Sequence, residues 1–216
     1  MAIAKDQIVA AAIDLLNEVG IDQLTTRKLA TRLGVAQPAL YWHFENKNVL
    51  LDAVNAEILA RYHLVRRPRP TDNWQNFTLA YARSARTALL SVRDGARINS
   101  GTRPTTDQFA DAEAALTLYV AEGFSPEEAF NISLSIARYV VGFVLEEQGE
   151  RAREATEVPA ADTSPLDDIA PFPLLSAALE PLTLEGTINT ERAFEAGLGY
   201  IVAGIRASIE GRKSRN

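Results

Sequence analysis

Cysteine is absent from the 216 residues, which excludes disulfides and thiolate zinc sites and suits a reducing compartment. No apolar run approaches the roughly 18 to 20 residues of a membrane span, and the opening Met1-Ala2-Ile3-Ala4-Lys5 is followed by no apolar signal core. A cytoplasmic chain with no membrane partner is expected. Alternating strand patterns, internal repeats and low-complexity tracts are also missing. So are a nucleophile motif, a phosphate loop and metal-ligand spacing such as HExxH, and no enzyme is predicted. Basic charge is scarce too, at a net −6. That balance argues against a nucleic-acid binder only when it is averaged over the chain. Before residue 51, Lys5, Arg27, Lys28, Arg32 and Lys47 offset Asp6, Asp14, Glu18, Asp22 and Glu45. Phosphate contacts need local cations rather than a basic pI.

What is present is helical, and it is organised around Leu24 to Lys47, LTTRKLATRLGVAQPALYWHFENK. Thr25 is a helix cap, Leu29, Ala30 and Leu33 form a buried face, and Gly34 suits the left-handed residue that ends a helix. Pro38 then fits the first turn of a second helix, with Leu40 and Phe44 as its narrow apolar face. Gln37, Ala39, Tyr41, Trp42 and His43 lie elsewhere on it, a set that folding alone does not require. A helix-turn-helix accounts for them, since its second helix reads base edges in a major groove while its flanks touch phosphates.

Before this stretch, Ile8, Ala12, Leu15, Leu16 and Val19 give a scaffold helix closed by Gly20. After it, Asn46 caps a fourth helix running through Leu50, Val54 and Ile58 toward His63. Arg66-Arg67-Pro68-Arg69-Pro70 reads as a solvated linker and sets a boundary: 1–66 with the connecting helix, then 67–216. In the second part Trp74, Phe77, Tyr81 and Leu89 mark a helix, and Asn99 to Pro104 reads as a polar loop. Thr105 with Gln108, and Ser125 with Glu128, are capping boxes that open two more helices, the second reaching about Glu154. Glu154 to Pro165 reads as a loop, short helical pieces follow before Leu184, and a last helix spans Thr190 to Glu210. Its stripe is Phe194, Leu198, Ile201, Val202, Ile205 and Ile209. The expected fold is all-α: an N-terminal three-helix helix-turn-helix domain and a larger C-terminal helical bundle.

The segments TTRKLATRLGV and LYWHFENKNVLLDA resemble the DNA-binding region of the TetR family of transcriptional repressors. LLSVRDGARINSGTRPT, GFSPEEAF and VLEEQ extend the resemblance to the branch of that family that answers to a magnesium-chelated drug. The resemblance implies a homodimer on double-stranded operator DNA, with Ser125–Glu154 and Thr190–Glu210 pairing with their mates in a four-helix bundle. It implies base contacts from Arg27 and Gln37, apolar contacts from Pro38 and Ala39, backbone anchoring by Thr26, Tyr41, His43 and Lys47, and support from Trp42. It implies a small-molecule pocket drawn from His63, Tyr81, Ala85, Asn99, Thr102, Arg103, Pro104, Ala115, Arg138 and Glu146.

Four of those positions depart from the family pattern. Tyr81 stands for an asparagine that fixes the drug, Ala85 for a phenylalanine, Ala115 for a glutamine, and Asn99 for the histidine that coordinates the magnesium. An amide oxygen anchors a metal chelate less well than imidazole. No cofactor and a changed ligand are therefore expected, with magnesium carried by a chelating ligand as the alternative. Two other functions stay open on the residues alone: a DNA-binding regulator without effector, and an enzyme using the second-half cavity for acid–base chemistry.

Overall fold

The computed structural model describes residues 3–155, 169–184 and 187–213. Among these residues ten α-helices carry the fold: α1 Lys5–Val19, α2 Thr26–Leu33, α3 Pro38–Tyr41, α4 Lys47–Tyr62, α5 Trp74–Leu90, α6 Gly95–Gly101, α7 Thr106–Ala121, α8 Pro126–Glu154, α9 Pro173–Leu179 and α10 Thr190–Lys213. The local signals act as their chemistry predicts. Thr25, Asn46, Thr105 and Ser125 each accept a hydrogen bond from the third residue of the helix they open, and both capping boxes close. Gly34 ends α2 in the left-handed conformation at φ +66.

Two apolar cores form. The first packs Ile8, Leu16, Leu29, Leu40, Phe44, Val54 and Ile58 together, and takes in Val92 and Ile98 from beyond the Arg66–Pro70 boundary. The other gathers Trp74, Tyr119, Ile136, Val140, Phe194 and Leu198. Between them α4 touches both, with Leu59 packed against the second core. The α5–α6 corner is fastened to the α1–α2 turn: Ile21 N–H donates to Asp94 Oδ2 at 2.8 Å, and Arg97 makes a bidentate pair with Asp22. Gly95 is obligatory at this corner, because a Cβ there would lie 2.1 Å from the Leu89 carbonyl oxygen.

The structure corrects several expectations. Asn99 is not in a loop but on α6, which runs to Gly101. A two-residue antiparallel ladder, β1 Thr183–Leu184 with β2 Thr187–Ile188, sits where only helical signals were read. The Arg66-Arg67 segment is exposed but not free, since both guanidiniums reach Asp111 on α7. Of the α10 stripe, Phe194, Leu198, Val202, Ile205 and Ile209 are buried within their own chain and Ile201 is half-buried, so those five are not the face offered to a second subunit. Periodicity reports that a face is covered, not by which chain. On α8 and α10 the exposed large apolar groups are Phe130, Leu145 and Tyr200; others lie elsewhere, among them Phe109 on α7 and Leu174 on α9. By length and composition Pro126–Arg153 is also apolar enough to cross a membrane, although no unbroken apolar run suggested it. Most of the expected loop Glu154–Pro165 lies outside the described residues.

Candidate functional site

The helix-turn-helix presents a compact polar face. Leu40 and Phe44 hold α3 down at 2% and 3% exposure, which turns the rest of that single turn outward. Gln37 Nε2 donates to Thr26 Oγ1 at 2.9 Å, tying the start of α3 to the start of α2. Hydrogen bonding to Thr26, then to Gln37, lowers the Tyr41 hydroxyl pKa. Pro38 is exposed and Ala39 half-buried. Neither Arg27, His43 nor Lys47 makes an ion pair among the described residues. Trp42 is 88% exposed and therefore gives the helix no internal support. An indole left in water beside uncommitted cations is a surface built for contact.

The second half holds a cavity of about 150 Å³ between α4, α5, α7 and α8. Phe77, Thr78, Ala115, Tyr119 and Ile136 lie at its buried end, and Arg66, Gln108 and Asp111 toward solvent. His63, the residue that closes α4, is 5% exposed and lines it. Its Nδ1 lies 2.9 Å from Ser84 Oγ, and that oxygen also accepts from Val65 N–H at 3.0 Å. The arrangement that uses every proton has the serine hydroxyl donate to Nδ1, leaving Nε2 as an N–H donor. Among the described residues Nε2 is buried without a partner, as is Ser133 Oγ in the same wall. Thr78 donates to the Trp74 carbonyl, so the Tyr119 hydroxyl must donate to Thr78, at 2.5 Å. Burial pushes the Tyr119 pKa up to about 12 against the opposing effect of that bond.

Of the pocket residues expected from the sequence, the structure brings His63, Tyr81 and Ala115 together around this cavity. Tyr81 packs edge-on against the His63 ring at 4.7 Å. Ala85 is buried in the second core, outside the lining. Asn99, Thr102, Arg103 and Pro104 lie beside α4 instead: Asn55 Nδ2 donates to Asn99 Oδ1 at 3.3 Å, and Arg103 N–H to Asp52 Oδ1 at 2.9 Å. Arg138 and Glu146 line a separate, shallower groove between α8 and α10. The buried carboxylate of that stretch is the neighbouring Glu147, bound to Arg86.

Two family models cover most of the chain: "Bacterial regulatory proteins, tetR family" over residues 8–54 and "Tetracyclin repressor-like, C-terminal domain" over residues 67–209. The chain belongs to the TetR family. The class A tetracycline repressor from transposon 1721 of Escherichia coli is 47% identical over 92% of this chain and 88% of its own length. The class G repressor of Vibrio anguillarum is 45% identical over 95% of this chain and 96% of its own. Among solved structures, a TetR variant of Acinetobacter baumannii in complex with minocycline superposes with TM-score 0.76 at 43% identity, covering 95% and 97% of the two chains. Class A TetR with 5a,6-anhydrotetracycline and magnesium gives 0.72 at 40% identity, covering 94% and 97%.

Several lining residues of this TetR-family cavity were not singled out from the sequence, namely Arg66, Thr78, Gln108, Asp111, Tyr119 and Ser133. Arg66 sat in a proline-rich run that looked like linker, and the others are ordinary residues of helices whose facing partners are remote in sequence. The buried histidine has a thermodynamic consequence. Desolvation, followed by the charge of Arg66, lowers the His63 pKa to about 4. Between about pH 6.5 and 4 the unfolded chain binds a proton that the folded chain refuses, so stability falls as pH falls through that window. The loss should approach about 3 kcal/mol at the lower end. Urea midpoints compared at pH 7 and 5 should show it, and His63→Gln should flatten that slope; an unchanged slope would mean that the ring protonates in place.

Proposed function

We propose that this chain is a ligand-responsive transcriptional repressor that holds a palindromic operator as a homodimer and releases it when a small molecule fills the cavity between α4, α5, α7 and α8. The observation that carries this reading is the position of α4. Its N-terminal end follows the helix-turn-helix directly, its middle is bonded to Asn99 and Arg103 through Asn55 and Asp52, and its last turn contributes Leu59 and, at its cap, His63 to the cavity wall. A ligand that moves the cavity wall must therefore also act on the reading unit. It can do so only by as much as its affinities for the two arrangements differ.

A two-fold dimer sets its recognition helices about 34 to 36 Å apart, one turn of B-DNA. The α8 face with Phe130 and Leu145 exposed and Leu134 and Val141 half-buried, together with exposed Tyr200 on α10, is the face we assign to the partner subunit. Residues 1–66 form the reading unit and 67–216 the effector and dimer unit, in a cytoplasmic protein. Nothing in the cavity supports an enzyme over this reading.

The proposed ligand differs from the 5a,6-anhydrotetracycline and magnesium of the class A TetR structure. Asn99 Oδ1 is already committed to Asn55, Asp111 is committed to two arginines, and Glu146 faces a different groove. That donor set fits a magnesium chelate poorly.

Base reading and phosphate anchoring are separable. Gln37→Ala should cost about 1 to 3 kcal/mol on the operator and relax preference at one base pair. Lys47→Ala should weaken all sequences alike and lower the salt slope by about one unit. Fluorescence anisotropy on operator and random duplexes across a salt series distinguishes them; equal weakening of both variants on random DNA would overturn the assignment.

A further inference from the structure

The cavity carries charge at its rim. Arg66 lines it, and the Arg66 guanidinium shares one carboxylate, Asp111, with Arg67. The pairing is unequal. Arg67 donates its Nε to Asp111 in a short bond, whereas the Arg66 contact is an ion pair at 3.6 Å. Two guanidiniums thus face one anion, and among the described residues no other carboxylate pairs with either. The rim holds one positive charge in excess, on a side chain that is still 39% exposed.

Deeper in, the polar groups are waiting for acceptors and donors of modest size. Among the described residues His63 Nε2–H and Ser133 Oγ are buried without partners, and an unmet buried donor is a cost that a ligand acceptor removes. The Tyr119 oxygen has donated its proton to Thr78 and keeps only lone pairs to offer. Around these the wall is Phe77, Ala115, Ile136 and the Tyr81 ring. At about 150 Å³ the enclosed part is the size that holds a single aromatic ring, and a larger ligand must extend toward the Arg66 rim.

We infer that the effector of this cavity is a compact aromatic monoanion, whose carboxylate or enolate displaces Asp111 from Arg66 while a carbonyl or hydroxyl oxygen accepts from His63 Nε2–H. The inference rests on the cavity being the effector site. Charge is the discriminating property. A neutral ring of the same shape gains the apolar contacts but leaves the Arg66 charge unmatched, and a cation is repelled by it. A charge-assisted hydrogen bond is about twice as strong as a neutral one, which places the preference for the anion at about tenfold in affinity.

The test uses a matched pair of probes, 2-naphthoate and 2-naphthamide, titrated calorimetrically at millimolar concentration into the full-length protein without added metal. Naphthoate should bind about tenfold more tightly. Arg66→Gln should erase the difference while sparing naphthamide, and Asp111→Asn, which removes the competing anion, should enlarge it. Equal binding of the two probes, tighter binding of the amide, binding of neither, or a preference unmoved in both variants would overturn the inference. Operator release is scored separately by anisotropy. Naphthoate that binds with the expected preference but leaves the operator complex intact supports the anion assignment and defeats the effector reading. Release by the amide alone does the reverse.

Discussion

Glu147→Ala should destabilise the fold by about 3 to 5 kcal/mol, an effect larger than that of any exposed ion pair in the molecule. Glu147 is 3% exposed on α8 and receives two hydrogen bonds from Arg86, from Nε at 2.9 Å and from the terminal nitrogen at 2.6 Å. The other terminal nitrogen of Arg86 reaches Glu191 on α10. The guanidinium also stacks over Phe194, 4.8 Å from the ring centre. Burial raises the Glu147 pKa, but hydrogen bonds from Arg86 and Thr190 with the Arg86 charge outweigh it and hold the carboxyl below its ordinary range. Truncating the carboxylate leaves a largely buried cation short of its main partner, and that desolvated charge is the source of the cost. The pair itself is not worth that much. Arg86→Met with Glu147→Leu should recover most of the loss, because an apolar pair of similar volume needs no compensation. Urea denaturation at fixed protein concentration measures both, the concentration being held because subunit association shifts apparent stability. A loss below about 1 kcal/mol for Glu147→Ala would mean that water reaches Arg86 in the variant.

Much of this fold was legible in the residues, for identifiable reasons. Caps and capping boxes are local, so Thr25, Asn46, Thr105 and Ser125 announce their helices without knowledge of the tertiary structure. The helix-turn-helix was legible because Tyr41 and Trp42 stand exposed where packing gives them no reason to be. What could not be read depends on which remote element covers a face. The α10 stripe has the period of a subunit interface, yet it is spent on α5 and α8 of the same chain. Arg66 and Arg67 look like linker until Asp111, more than forty residues on, is folded beneath them. Glu146 and Glu147 are adjacent and identical in type and both line the groove between α8 and α10, and only the helical phase of α8 decides that Glu147 is buried on Arg86 while Glu146 is exposed.

Magnesium–anhydrotetracycline should bind this protein about two to four orders of magnitude more weakly than it binds a repressor with the metal-anchoring imidazole and the drug-clasping amide in place. Each missing hydrogen bond or metal anchor costs on the order of 1 to 3 kcal/mol, and two are altered, at Asn99 and Tyr81. Asn99 offers an amide oxygen that already accepts from Asn55. Tyr81 replaces a hydrogen-bonding amide by a ring packed against His63 and Phe77, in the volume a ligand ring would take. Arg66 adds to the penalty by standing, incompletely neutralised, on the rim through which a chelate bearing a divalent ion would enter. Asn99→His with Tyr81→Asn should recover binding that depends on magnesium, and adding Arg66→Gln should strengthen it further. Recovery need not reach the full affinity, since Asn99→His deprives Asn55 of its partner, and the Asn55 Oδ1 atom is already unsatisfied. Drug fluorescence titrated with and without a chelator reads each step. Tight, magnesium-dependent binding by the unmodified chain would show that Asn99 can anchor the metal after all. A double variant that stays unresponsive would show instead that the cavity has changed in shape as well as in its polar groups.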